Sequence, residues 1–129
     1  MTKLDKKIMW NLIKKSYLRA ANDDEIKNRL SYRDLVFSWN LEDLKFWFTV
    51  TLSEGKVSIR QGESDKADMT FYNKKADEFH RGNIEEMNGR DIFHNGGFRC
   101  EGREKHMRYI ATLCKYMRIH YKEFAKEMH

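Results

Sequence analysis

The sequence predicts an α+β domain: five strands gathered in the middle of the chain, an antiparallel meander of three plus two further strands, flanked by helices. Three observations predict it. Apolar residues recur every three or four positions near both ends of the chain, the spacing of a helix with one buried face. Between the ends the period changes to two, the spacing of a strand with one buried face. The first three alternating runs lie so close together that only antiparallel pairing fits their connections, because a parallel crossover needs about a dozen residues or more. The 129 residues suit a single domain spanning 1–129, with an N-terminal helical region 1–30, a core 31–102 and a C-terminal helix 103–129.

The elements follow in order. Over residues 2–20, Leu4, Ile8 and Leu12 recur with Met9, Ile13 and Tyr17 on one helical face, and lysines fill the other. Asn22 is placed to cap a second, short helix carrying Glu25, Ile26 and Leu30. Leu35, Phe37, Trp39 and Leu41 then alternate with Val36, Ser38 and Asn40. Phe46, Phe48, Val50 and Leu52 alternate with Trp47, Thr49, Thr51 and Ser53, and Val57 and Ile59 with Lys56, Ser58 and Arg60. Glu42-Asp43 and Glu54-Gly55 supply the two turns. A polar stretch, 62–66, leads to a fourth strand over 67–72 with Met69 and Phe71 on one face. Asn73 reads as the N-cap of a helix through Phe79 that stops at Gly82. Ile84, Met87, Ile92 and Phe93 belong to a broken helical segment around Asn88-Gly89. Asn95-Gly96-Gly97 is a turn, 98–101 a fifth strand, and Gly102 breaks it. A long helix over about 104–126 carries Met107, Ile110, Ala111, Cys114, Met117, Tyr121, Phe124 and Ala125 as its apolar stripe.

Composition narrows the function. Hydrophobic residues make up 40% of the chain, enough for a real core, which argues against disorder. No apolar run approaches the ~20 residues of a membrane span, and the lysine-studded N-terminus carries no secretory pattern. The net charge of +5 is unevenly spread: 8 basic and 4 acidic residues in 1–30, 10 and 13 in 31–102, 7 and 3 in 103–129. Basic ends suit an anionic membrane surface, a nucleic acid, or simply two solvated helical faces. No nucleic-acid motif accompanies the charge, so none is expected as a partner. Two cysteines without a CxxC pair fit thiols in a reducing cytoplasm, the expected location.

No catalytic or metal constellation stands out. The histidines are His80, His94, His106, His120 and His129, with neither an HExxH pattern nor metal-ligand spacing. His80 and His120 stand among charged residues and read as exposed; His94 sits beside the Asn95-Gly96 turn. Asp77-Glu78 and Glu85-Glu86 are adjacent pairs, which do not face each other on a helix. Cys100 and Cys114 read as small packing residues rather than nucleophiles. Arg103 and Lys105 stand where they would meet a ligand carboxylate or phosphate, or solvent. Neither a GxGxxG nor a Walker A pattern occurs. The expectation is a protein without catalytic residues, metal or cofactor.

With these residues in place, the stretch from about Leu35 to Leu113 resembles the type-2 sterol carrier proteins. Phe46 to Gly62 (FWFTVTLSEGKVSIRQG) resembles that family's hairpin, and 67–71 its next strand. Phe79 followed by Gly82-Asn83-Ile84 resembles the family's phenylalanine and glycine–polar–aliphatic sequence, and Gly96 and Gly102 bracket the last strand as two glycines do there. The chain departs from the pattern at Lys66, where proline is common, at Arg103, where a small acidic or amide residue is common, and in a longer segment between Gly82 and Gly96. That last departure bears on the pocket mouth more than on the fold. The resemblance implies a mixed sheet covered on one face by helices, with a tunnel between the layers. It implies non-enzymatic binding of an apolar ligand such as a fatty acid, acyl-thioester or sterol-like lipid, with transfer or presentation as the use of that binding; the expectation of peripheral contact with an anionic membrane comes from the basic ends.

An apolar site needs few polar groups and adaptable walls, and methionine adapts well. The candidate lining is Phe48, Val50, Phe71, Phe79, Ile84, Met87, Phe93, Leu113 and Met117. Each of these also reads as ordinary core. Three other readings stay open: an accessory module that binds a quinone or other cofactor and docks on a partner enzyme, a small enzyme in which His94 or His106 meets a carboxylate, and a basic nucleic-acid binder.

Overall fold

The computed structural model describes residues 4–30 and 33–128. Helix α1 (Lys6–Ala20) starts where Asp5 accepts a hydrogen bond from the Ile8 N–H at 2.9 Å, so the first residues of the expected helix lie before the cap or outside the described residues. Helix α2 (Asp24–Leu30) is entered at Asp23, whose carbonyl accepts from Lys27 N–H, one residue later than an Asn22 cap would place it. Strands β1 (Leu35–Leu41), β2 (Phe46–Ser53) and β3 (Lys56–Gln61) form the expected meander. Strand β4 (Met69–Asn73) pairs parallel to β1, and β5 (Phe98–Gly102) pairs antiparallel to β4. The sheet is therefore mixed, in the order β3-β2-β1-β4-β5.

The remaining helices are α3 (Ala76–Asn83), α4 (Gly89–His94) and α5 (Met107–Lys126). Asn73 is not the cap of α3. It closes β4, and its Oδ1 accepts from the Trp39 indole N–H at 2.7 Å. The N-terminus of α3 is met from the β1–β2 turn, where Asp43 accepts from Ala76 N–H at 3.0 Å. A long-range partner thus does what the local sequence assigned to Asn73. Asn88 caps α4, accepting from Arg90 N–H at 2.8 Å. Gly102, at φ +129°, lies where any Cβ would collide with the Asp68 carbonyl, so β5 leaves the sheet at a residue that must be glycine.

Helices cover one face of the sheet. Tyr17 of α1 sits 6.0 Å from the rings of both Phe37 and Phe48, and α1 and α5 pack against each other along their lengths. The other face is less open than alternation predicts. Ser38 and Thr49 are buried there because the 62–68 loop folds over them: Thr49 donates to the Gly62 carbonyl, and Ser38 Oγ accepts from Ser64 N–H. The two hydroxyls join each other at 2.7 Å.

Candidate functional site

Direct pairing places Phe71 opposite Cys100 and Asn73 opposite Phe98, so Phe98 and Cys100 of β5 project from the helix-covered face of the sheet. Yet Phe98 is only half-buried and Cys100 is exposed. The helical layer does not extend over this edge. A cleft of about 820 Å³ opens there, between the β1–β4–β5 end of the sheet, the α3–α4 segment and Arg118 of α5. Small-molecule sites span about 300–1,000 Å³, so the space suits one ligand.

Trp39 organises the apolar wall. Its ring stacks on Phe71 at 4.5 Å, meets Phe79 edge-on at 5.4 Å and lies 5.9 Å from Phe98. The bond to Asn73 satisfies the indole N–H and holds the ring in place. Such aromatic contacts are worth about 0.5–1.5 kcal/mol each beyond area burial, which keeps this wall rigid while its outer side stays open. Gly97 anchors the turn below α4: its N–H donates to Asn95 Oδ1 at 2.8 Å, its carbonyl accepts from Lys74, and a Cβ there would run into the Glu78 carboxylate.

Polar side chains make up half of the sixteen residues that line the cleft, and five of them are charged. Asn83, the last residue of α3, is only 7% exposed, and its Nδ2 has no hydrogen-bond partner among the described residues. A buried donor left unmade costs about 1–3 kcal/mol. Glu85 pairs with Lys122 at 3.0 Å, and Glu78 accepts from Asn95 Nδ2 at 3.3 Å. Arg90 and Arg118, also in the lining, make no ion pair among the described residues.

The structure divides the residues singled out from sequence. Phe79, Met87 and Phe93 line the cleft. Ile84 is half-buried and packs against the core, while Phe48, Val50, Phe71, Leu113 and Met117 are buried within that core and do not reach the cleft wall. Trp39, Asn73, Asn83, Phe98 and Arg118 line it without having been singled out as ligand contacts. The parity of Trp39 and Phe98 in their strands was readable; the missing cover above them was not.

Two histidines expected at the surface are inside. His80 is buried, with Nδ1 2.7 Å from the Tyr121 hydroxyl, because its face of α3 turns toward α5. His120 is half-buried and meets Asp23 at 3.1 Å, tying α5 to the start of α2. His106 approaches Asp68 at 3.7 Å where β5 passes into α5, and His94 is exposed on α4; His129 lies outside the described residues. Cys100 is exposed rather than packed, on the edge strand of the sheet. Cys114 is buried beside Tyr17, 3.4 Å from its hydroxyl. Burial pushes the Tyr17 phenol and the Cys114 thiol above their ordinary values, and the Tyr121 phenol rises for the same reason. Among the described residues no three His, Cys, Asp or Glu side chains gather as a metal site, and no helix is long and apolar enough to cross a membrane.

No family model and no curated protein matches the sequence. Solved structures do match the fold. The sterol carrier protein domain 2 of Helicoverpa armigera superposes with a TM-score of 0.70 at 13% identity, over 92% of this chain and 95% of that one. UbiJ-SCP2, a ubiquinone synthesis protein, does so with a TM-score of 0.57 at 14% identity, over 86% and 93%. The stereoselective inverting sec-alkylsulfatase Pisa1 from Pseudomonas sp. matches with a TM-score of 0.56 at 20% identity; 70% of this chain corresponds to 14% of that longer one. The chain has the sterol carrier protein 2 fold, an α+β arrangement with a five-stranded mixed sheet.

Proposed function

We propose that this chain is a non-enzymatic binding domain for an apolar small molecule, held in the cleft at the β1–β4–β5 end of the sheet. The observation that carries the reading is the cleft itself: about 820 Å³ against a wall of Trp39, Phe79 and Phe98. Each methylene removed from water there contributes about 0.8 kcal/mol. Phe79, Met87 and Phe93 are proposed as ligand contacts, joined by Trp39 and Phe98. The ligand class is a fatty acid, acyl-thioester or sterol-like lipid. Phe93, 54% exposed on α4, and Arg90 beside the cleft suit contact with an anionic membrane from which such a ligand is drawn and to which it is delivered. The cytoplasm is the location that keeps both cysteines as thiols.

A second reading has its own support. The likeness to UbiJ-SCP2 and to part of an alkylsulfatase favours an accessory module, which holds a quinone or other cofactor and docks on an enzyme.

Native mass spectrometry of the purified protein tests the proposal, followed by extraction and identification of what is released. A stoichiometric apolar ligand is expected. A clean apoprotein that also takes up no fluorescent fatty-acid or sterol probe would contradict ligand binding and leave docking as the leading reading.

A further inference from the structure

The sheet ends in two edge strands, β3 and β5. An edge strand carries N–H and C=O groups that no neighbour has taken, and another strand completes them unless side chains prevent it. On β3 they do. It carries Lys56 and Arg60 and no acid, so no pairing of two β3 strands matches opposite charges. On β5 the case is different. Arg99, Cys100, Glu101 and Gly102 are all exposed. The bonds at the ends of this strand fix which backbone groups are free. Lys74 N–H donates to the Gly97 carbonyl, and Arg103 N–H donates to the Asp68 carbonyl, so Arg99 and Glu101 complete the bonds to β4 between them. The N–H and C=O of Cys100 therefore point away from β4, toward the free edge.

The sequence around Cys100 is complementary to itself. Two β5 strands laid antiparallel about Cys100 exchange both of its backbone hydrogen bonds. Arg99 of each copy then stands directly opposite Glu101 of the other, in the closer, non-hydrogen-bonded kind of pair. Moving the centre by one residue sets Arg99 against Arg99 or Glu101 against Glu101, so charge selects a single register. In that register Phe98 lies across from Gly102 of the other copy, where no side chain opposes the ring. Glu101 makes no ion pair among the described residues. Arg99 is held on the same face of the sheet as Glu101 by the Tyr72 ring, 3.9 Å away. One of its nitrogens meets Glu42 at 2.9 Å, and the guanidinium fork has donors left for a second carboxylate.

We propose that the free edge of β5 is an interface between two copies of this chain, paired antiparallel about Cys100. The two five-stranded sheets become one continuous sheet, with both helix-covered faces on the same side. The interface is short, so the dimer is weak and forms only at high protein concentration.

The test is sedimentation of the full chain from micromolar to millimolar concentration, with charge exchange as the discriminating step. The parent should pass from monomer to dimer as concentration rises. Arg99→Glu and Glu101→Arg each replace two opposite-charge pairs with two like-charge pairs, and each alone should weaken dimerisation by about tenfold or more. Mixed in equal amounts, the two variants restore both pairs in the same register. They should form a heterodimer as strong as the parent dimer, seen as a mixed-mass species by native mass spectrometry. A variant that had merely failed to fold would not recover on mixing. In the parent, a short bis-maleimide should join two chains through Cys100, the exposed cysteine, and Cys100→Ser should abolish the product. A chain that stays monomeric at every concentration would overturn the proposal. So would a dimer that neither reversal weakens, variants that stay apart when mixed, or a parent that the reagent leaves unlinked. Ligand binding in the cleft stands or falls separately, on the co-purified ligand.

Discussion

Beneath α1 and α5 the inner face of the sheet is filled; beyond β4 the same face is open. On the filled side Tyr17, Phe37, Phe48, Val50 and Leu113 are essentially without exposed surface, and polar contacts such as Tyr17 to Cys114 and Tyr121 to His80 are internal. On the open side Phe98 and Met87 are half-buried, Phe93 is exposed, and the Asn83 amide nitrogen has no partner among the described residues. Both sides are built from the same kinds of residue on the same alternating strands. What differs is the layer above. α1 is long and packs along β3 with Tyr17 reaching Phe37 of β1 and Phe48 of β2, whereas α3 and α4 are short, broken by the 84–88 connector, and stand at the edge. Apolar residues become core where a helix closes on them and the wall of a cleft where it does not.

Substitution across the two sides is the strongest way to break that contrast. Phe48→Ala should cost about 3–5 kcal/mol of folding stability, read from urea unfolding, because the surrounding aromatic rings cannot collapse into the space. Phe98→Ala should cost well under half as much while weakening an apolar probe severalfold. Equal stability losses would mean that the open side is ordinary core.

Alkaline pH probes the filled side. The Tyr17 and Tyr121 phenols and the Cys114 thiol are raised in the folded state by burial, from ordinary values of 10.0, 10.0 and 9.0. The folded state therefore keeps protons that the unfolded chain releases. Their contribution to stability is whole below pH 9 and is lost as pH rises through that range, by up to about 1.4 kcal/mol per pH unit for each group. Denaturant titrations at stepped pH should show this fall, and Tyr17→Phe should make it shallower. A stability that holds level to pH 11 would contradict the dry packing assigned to this side.

Smaller effects belong to the cleft. Phe93→Ser should leave stability within about 0.5 kcal/mol of the parent, since the ring is 54% exposed, yet reduce probe affinity and uptake from anionic vesicles. Asn83→Leu should be neutral or stabilising by about 1 kcal/mol, because it removes a buried donor that has no partner among the described residues. A loss of 2 kcal/mol or more would show that Asn83 holds the end of α3 in place.

Much of the architecture was legible in the sequence because it is written locally. The period-two runs locate β1 and β2 to the residue and β3 to within one, and Glu54-Gly55 and Asn88 mark a turn and a cap. Features set by distant partners were not legible. Asp43 rather than Asn73 holds the start of α3, His80 turns inward to Tyr121, and the 62–68 loop buries Ser38 and Thr49. The cleft follows the same rule. Phe79, Met87 and Phe93 were readable as apolar residues on broken helices, and Phe48 and Val50 were readable as apolar residues on strands. Only the placement of the helices tells which of them meet a cavity and which meet one another.

The most direct test is to add a spin-labelled acyl chain to the isotope-labelled protein and record which backbone amides broaden. If the ligand occupies the open side, broadening concentrates in residues 78–93 and around Phe98, while Tyr17, Phe37 and Val50 stay sharp. Broadening centred on Val50 and Leu113, with α3 and α4 unaffected, would place the ligand between α1 and the sheet and contradict the division between a filled side and an open one.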